Sequence, residues 1–386
     1  MNSDKIGIVG WGSSSALGAA TNEIWEQYLS NKHRLTKKRF LTDEDWCGAL
    51  ADEEAIKKIR AEKQAYRNLD PSVLFAIATS RQALTKAKWG ANVSFGINIG
   101  SSRGATTLFE SYHQQFLNSD KQETMPACSP ATTLGNIASW VATDLGATGP
   151  AISHSITCST ALHAVINAFA WLKSGLATHF LAGGSEAPLT PFTLAQMKAL
   201  KIYSSSADEY PCQAMDLDKQ KSGMILGEGA ATFALESNPS NAIAYISGIG
   251  YGTEIIQNGA SLSAEATCMQ KAMLMALNGN SPDSVDAVVL HSPGTVLGDL
   301  AERRAIDLVF GERTPLLTCN KWKLGHTFGA SGALSLEFAL LMMQHNLFIP
   351  VPYLNQKARV KKLKKIMVNA VGFGGNAASV LIEKAF

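Results

Sequence analysis

The chain has 386 residues, of which 46% are hydrophobic and 17% charged, enough apolar material for a large core and too little charge for a disordered polymer. Thirty-four Lys+Arg against 32 Asp+Glu leave a net charge of +2, so nothing points to nucleic acid as a partner. No run of about 18 uninterrupted apolar residues exists to cross a membrane, and the start Met1-Asn-Ser-Asp-Lys5 has no apolar signal core.

In chain order, β-branched runs alternate with Ala/Leu-rich helical stretches. A strand is expected over Lys5–Val9, then helices over Asn22–Leu29 and Pro71–Ala87. Strand Val93–Ile99, helix Leu134–Leu145, strand Ala151–Ile156 and helix Thr160–Ser174 follow, with strands His179–Ala182 and Ala230–Leu235 closing the first set. The second set opens with strand Ala242–Ile249, helix Ala264–Leu277, strand Ala287–His291 and helix Asp299–Val309. It ends with strand Leu316–Cys319, helix Ala333–His345 and strands Met367–Ala370 and Ala378–Ile382. This alternation predicts an α/β class with largely buried sheets. The polar stretch Ser237–Asn241 reads as a linker, dividing the chain into residues 1–237 and 242–386. Each part has a similar order of elements, although no sequence repeat is visible.

Two segments have bland readings. Gly10-Trp-Gly12 after a strand lacks the third glycine and the later acidic residue of a dinucleotide fingerprint. The basic run Lys357–Lys365 reads as a solvated surface connection.

The six cysteines, Cys47, Cys128, Cys158, Cys212, Cys268 and Cys319, are scattered. The absence of a CxxC pair argues against a zinc site, and no metal is expected. Scattered thiols fit a reducing, cytoplasmic setting. Cys158 alone sits where a β-type run meets a helix start, Ser159-Thr-Ala-Leu-His-Ala164. Unpaired N–H groups and the helix dipole at that end favour a thiolate and a lowered pKa. The other five thiols read as structural.

His291 ends an expected strand, where α/β folds meet their ligands. His326 lies in a Gly-flanked turn, Leu324-Gly-His-Thr-Phe-Gly329, with Lys321 five residues earlier. His163 shares the helix after Cys158 and reads as a packed histidine. The turn Gly372-Phe-Gly-Gly-Asn376 is either an ordinary hairpin or a source of an oxyanion-binding N–H with an aromatic gate, Phe373.

Together these motifs resemble the elongating β-ketoacyl–acyl carrier protein synthases (ketosynthases), over nearly the whole chain. The resemblance rests on Ile6-Gly-Ile-Val-Gly-Trp-Gly12, Thr157-Cys-Ser-Thr-Ala-Leu-His-Ala164, Leu181-Ala-Gly-Gly-Ser-Glu-Ala187 and Asp218-Lys-Gln-Lys-Ser-Gly-Met-Ile-Leu-Gly-Glu-Gly-Ala230. His291 with Gly298-Asp299, Lys321 with Gly325-His326 and Gly329-Ala-Ser-Gly332, and Gly372–Asn376 complete it. It implies a thiolase-like fold: two similar βαβ halves in a five-layered α-β-α-β-α arrangement. It also implies decarboxylative condensation of malonyl carrier protein with an acyl group held as a thioester on Cys158. His291 and His326 would bind the malonyl carbonyl, Lys321 would match the family lysine, and the N–H groups of Cys158 and Phe373 would form the oxyanion hole. Thr295, Arg103 and Gly374 would border the substrate. Lys63, Arg67 and Lys201 would dock an acidic acyl carrier protein. No bound cofactor is implied, since substrates travel on the carrier's phosphopantetheine. A homodimer, or a heterodimer with a related chain, would be the assembly.

Four departures from the family pattern stand out. The usual glutamate nine residues after the second histidine is Ser335, with Glu337 two residues on. The usual His-Gly-Thr-Ser-Thr run reads His291-Ser-Pro-Gly-Thr295. The segment Tyr251–Glu265 is short, and Arg103 stands where the family has an aliphatic residue lining the acyl pocket. Arg103 suggests a pocket for a short, polar or unusual acyl chain, and the departures together favour a specialised polyketide or polyene pathway over ordinary fatty acid elongation. The competing expectation is a non-catalytic partner subunit, like the chain-length factors that pair with ketosynthases. A thiolase proper would need a second cysteine in the C-terminal turn, which has none.

Overall fold

Nine consecutive buried residues, Ile6–Ser14, form β1, which reads as a central strand because both of its faces are covered. The computed structural model describes residues 5–255, 262–354 and 362–385. Lys357, Arg359 and Lys361 of the basic run, and residues 256–261 of the short loop, lie outside the described residues.

After β1 come α1 (Thr21–Leu29), the hairpin β2 (Thr36–Phe40) and β3 (Asp43–Cys47), α2 (Glu53–Glu62) and α3 (Pro71–Ala87). β4 (Gly96–Gly100), α4 (Thr106–Asn118), α5 (Cys128–Thr132), α6 (Asn136–Leu145) and β5 (Ala151–Ile152) follow. α7 (Thr160–Lys173), β6 (His179–Glu186), α8 (Pro191–Ala199) and β7 (Gly229–Ser237) end the first set. The second set is β8 (Ala244–Thr253), α9 (Thr267–Leu277), β9 (Ala287–Val289), α10 (Val296–Phe310), β10 (Leu316–Thr318), α11 (Lys321–Leu324), α12 (Ser331–His345), β11 (Lys365–Gly372) and β12 (Asn376–Lys384).

The strand order is β10-β9-β11-β12-β8-β1-β7-β6-β4-β5. It divides into two five-stranded arrays with one topology. From the shared centre outward, β1-β7-β6-β4-β5 and β8-β12-β11-β9-β10 both run first, fifth, fourth, second, third within their own set. In both arrays the first two pairings are antiparallel and the last two parallel. The arrays meet where Gly7 and Ile8 of β1 pair with Tyr245 and Ala244 of β8. The duplication invisible in the sequence is therefore explicit in the pairing.

Three apolar clusters define the layers. Residues of α7 and α12 pack between the two arrays, with Leu162 and Val165 joining Leu336 and Leu340. α3 and α6 cover the outer face of the first array, and α9 and α10 that of the second. Because α12 is sandwiched, it is buried on all sides from Ser331 to Met343. The five-layered thiolase-like arrangement is thus present.

Gly10 and Gly12 belong inside β1 and open no phosphate loop. A Cβ on Gly10 would lie 2.6 Å from the Ala83 carbonyl oxygen of α3, and one on Gly12 would overlap that of Thr79. These glycines let helix and strand backbones close together.

The sequence-based expectations differ from the structure in places. The strand before Cys158 stops at Ile152, and β9 stops at Val289, so His291 lies two residues beyond its strand. The hairpin Thr36–Cys47 and helices α2, α4, α5 and α8 were not expected.

Candidate active site

The carboxyl ends of the parallel strands, where helix starts and loops gather, carry the site. Cys158 precedes α7, His291 follows β9, His326 joins α11 to α12, and Phe373 tips the β11–β12 hairpin. All four line one cavity of about 230 Å³, with Phe328, Thr295, Pro293 and Met224. Lys321, Arg103 and Gly374 do not line it, and Lys63, Arg67 and Lys201 lie outside it. The Gly372–Asn376 turn is a tight hairpin, with Gly372 paired to Asn376. Its aromatic, Phe373, is 36% exposed at the cavity rim.

Thr157 immediately before Cys158 has φ +48°, a left-handed conformation that a β-branched residue rarely adopts. Its hydroxyl donates to the Phe373 carbonyl at 3.2 Å, tying the turn to the nucleophile segment. A Cβ on Gly372 would lie 2.8 Å from the Cys158 backbone N, so only glycine admits this approach. Ser159 stands at the N-cap position of α7, where its hydroxyl donates to the Ile156 carbonyl at 2.9 Å and leaves the helix's first N–H groups without a side-chain cap, and Cys158 is buried.

That burial corrects one expectation. The thiol is not acidified: desolvation pushes its pKa up to about 12, and the nearby Glu186 carboxyl adds to the rise. The Lys321 and Arg103 charges act the other way but are outweighed. The resting group is a thiol.

His291 is held by its backbone. The buried Glu302 carboxylate of α10 accepts the N–H of His291 at 2.8 Å, the N–H of Ser292 at 2.7 Å and the Ser292 hydroxyl at 3.2 Å. Ser292 has a φ of +25°, a left-handed conformation that favours glycine. Glu302 thus fixes a strained turn. Asp299, one helical turn earlier, accepts from the N–H of Gly294 at 3.1 Å and of Met215 at 2.9 Å. Lys219 of the Asp218–Ala230 motif pairs with it at 2.7 Å, both side chains being buried.

The His291 and His326 rings lie 5.2 Å apart at 85°. Burial, then the Lys321 charge, drives the pKa of each well below the usual histidine value, and both rings are neutral. Nδ1 of each is buried without a hydrogen-bond partner among the described residues. Orphaned buried nitrogens are rare in a purely structural setting. Phe328, with φ +41°, meets His326 edge-on at 5.5 Å.

Lys321 begins α11 and is 1% exposed. Burial lowers its pKa, while Cys319, Glu302, Cys158 and Asp299 oppose that. Ser335 donates to Asn320 Oδ1 at 3.3 Å. Glu337 turns away to accept from the Ser13 hydroxyl. Neither side chain supplies Lys321 with a carboxylate.

Thr295 is half-buried at the cavity. Lys63 is exposed and already bonded to the Tyr66 hydroxyl at 2.9 Å, with Asp144 at 3.6 Å. Arg67 and Lys201 are exposed, and Lys201 follows Leu200, a cavity-lining residue. His163 Nδ1 lies 3.1 Å from the Ser159 carbonyl, a packed role. The six cysteines are free, all but Cys128 being buried.

The sequence motifs contain Asp299 and Glu186 without giving either a role, and Glu302 lies in none of them, although these buried carboxyls hold the loops. Glu302 and Asp299 are three residues apart at the start of a helix just after a candidate histidine, a spacing that puts both on one face. That signal was available. Glu186 at the end of β6 accepts from the Ser101 hydroxyl at 2.8 Å and from the N–H groups of Ser102, Arg103 and Gly329 at 2.7, 3.1 and 3.0 Å. Nothing in its local sequence announces that role.

Among the described residues, no helix is long and apolar enough to cross a membrane. The family model described as "Beta-ketoacyl synthase, N-terminal domain" matches residues 3–241, and "Beta-ketoacyl synthase, C-terminal domain" matches 242–355. A 3-oxoacyl-[acyl-carrier-protein] synthase 2 of Coxiella burnetii is 26% identical, with both chains fully covered. Among solved structures, the ishigamide ketosynthase/chain length factor superposes with a TM-score of 0.88 at 20% identity, covering 99% of this chain and 100% of that one. A type II PKS acyl-carrier protein in complex with its ketosynthase bound to the hexaketide gives 0.85 at 20% identity, with full coverage of both chains. Matched by both family models from residue 3 to residue 355, the chain belongs to the beta-ketoacyl synthase family.

Proposed function

We propose that this chain is a β-ketoacyl–acyl carrier protein synthase acting through Cys158. The observation that carries the reading is the convergence of Cys158, His291, His326 and Phe373 on one cavity. Cys158 Sγ attacks the thioester carbonyl of an acyl carrier protein. An S–C bond forms, and the carrier thiol leaves with the cysteine's proton. Malonyl carrier protein enters next. Its carboxylate C–C bond breaks, carbon dioxide departs, and the electron pair becomes an enolate. Neutral His291 and His326 each have one ring N–H to give, and they stabilise that enolate oxygen. The carbanion attacks the acyl carbon, the N–H groups of Cys158 and Phe373 receive the oxyanion, and the cysteine sulfur leaves and takes up a proton.

Lys321 sets the positive field behind Cys158 and the histidines and stays out of substrate contact. Thr295 borders the pantetheine path, and Gly374 gives the Phe373 turn its positive φ. Substrates arrive on the phosphopantetheine of an acyl carrier protein, docked through Lys63, Arg67 and Lys201, so high salt weakens binding. We place the boundary between the halves at the stretch 237–242. The working unit is a homodimer or a heterodimer with a related chain, in fatty acid or polyketide/polyene biosynthesis.

A second reading is a weakly active or non-catalytic partner of a ketosynthase heterodimer. It is favoured by Ser335 in the place of the family glutamate and by the elevated thiol pKa. Product analysis with acyl and malonyl carrier proteins separates the two. Ketoacyl carrier protein formed by the chain alone supports the enzyme. Product that appears only with a second chain, and survives Cys158→Ala in this one, supports the partner reading.

A further inference from the structure

Arg103 is a half-buried guanidinium beside the nucleophile with no carboxylate partner among the described residues. Its position is fixed at three points. The backbone N–H donates to buried Glu186 at 3.1 Å, Nη1 donates to Gln196 Oε1 at 2.6 Å, and the guanidinium lies 5.1 Å over the Phe328 ring. Phe328 is itself a wall of the cavity, and it packs with Cys158, Leu194 and Met197. Helix α8 therefore gives Leu194 and Met197 to the cluster around the nucleophile, and Gln196 to Arg103. Arg103 stands one side chain back from the cavity, across Phe328.

The fold duplication sharpens this placement. Arg103 follows β4, the second strand of its array, as His291 follows β9, the second strand of the other. Each loop is clamped by a buried glutamate, Glu186 or Glu302. One clamped loop delivers a histidine to the cavity, and the other delivers a cation beside it.

Resting on the ketosynthase reading, we propose that the acyl group carried by Cys158 runs past Phe328 to Arg103, which selects acyl chains bearing oxygen acceptors over saturated alkyl chains. An arginine has five N–H donors, and Gln196 takes one of them. A saturated chain filling this space strips water from the guanidinium and returns no hydrogen bond, which is costly. A ketone, hydroxyl or carboxylate oxygen returns one or two.

The test is acylation of the full-length chain by N-acetylcysteamine thioesters of three chains of equal length: octanoyl, one ending in a methyl ketone and one ending in a carboxylate. Intact-protein mass spectrometry reads the rate. The oxygen-bearing chains are expected to load about tenfold faster than octanoyl. Arg103→Leu abolishes or reverses that preference, and Arg103→Lys keeps part of it. If Arg103→Leu does not fold, Gln196→Leu, which frees the guanidinium from its anchor, is expected to shrink the preference. Octanoyl loading as fast as the others, or a preference unchanged in the variants, overturns this inference and leaves the ketosynthase reading standing. No loading of Cys158 by any chain overturns both.

Discussion

The His291 and His326 rings stand 5.2 Å apart and nearly perpendicular, each neutral and buried at the wall of the cavity that holds Cys158. In the proposed condensation each neutral ring gives one N–H to the enolate oxygen. Replacing either with alanine is expected to slow malonyl decarboxylation about 100-fold or more, as loss of an oxyanion donor does elsewhere. Release of carbon dioxide from malonyl carrier protein measures it. Both histidine pKa values are depressed, so protonation begins only well below the ordinary value of about 6.5. The decarboxylation rate is therefore expected to show no acid limb centred near that value.

Cys158 gives a second pH signature. Its thiol pKa is raised to about 12, so the thiolate is scarce at neutral pH and grows about tenfold per pH unit below that value. Alkylation of Cys158 by iodoacetamide is expected to be slower at pH 8 than that of a free cysteine, and to climb without a plateau through pH 10. A plateau near pH 7 would restore the helix-dipole expectation. The Lys321→Met variant, which removes an opposing charge, is expected to push the profile further up.

Glu302 acts on His291 through the backbone. Burial pushes the Glu302 carboxyl up to about 7, so its role rests on its two acceptor oxygens; Glu302→Gln keeps the shape, but one of those positions becomes a donor facing the N–H of His291 or of Ser292. A cost of about 1–3 kcal/mol is expected in denaturant unfolding. Decarboxylation should fall as well, while Cys158 acylation changes little. A loss of stability with both steps unaltered would leave Glu302 a purely structural residue.

Gly12→Ala tests the close approach of β1 and α3. The added Cβ would collide with the backbone carbonyl of Thr79 and with Gln82. Overpacking against backbone is expected to cost about 1–3 kcal/mol or more, read by thermal unfolding. A nucleotide-binding loop at this position would instead tolerate the change in the absence of ligand.

Much of this was legible because the local signal and the tertiary role coincide. Pro71–Ala87 carries an Asp70 cap and Pro at its first position, and its expected bounds match α3. Cys158, His291, His326 and Phe373 were each marked by a strand end or a Gly-rich turn, and all four line the cavity. The hairpin Thr36–Cys47 was hidden because its charged, exposed residues lack apolar alternation. α8 was also missed, although Thr190 and Pro191 form a cap-and-proline start. The raised thiol pKa was illegible for another reason. Desolvation depends on what packs over a residue from distant segments, and the Glu186 charge reaches Cys158 only in the folded chain. The duplication was hidden because pairing order is conserved in space while side chains are not repeated.

The central claim is that Cys158 carries the acyl group during condensation. Its most direct test is peptide mass spectrometry of the chain after incubation with acyl carrier protein, followed by a chase with malonyl carrier protein. The expected result is an acyl mass on the Cys158 peptide that disappears on the chase as ketoacyl carrier protein forms, with neither event in Cys158→Ala. An unmodified Cys158 peptide alongside undiminished product would contradict it.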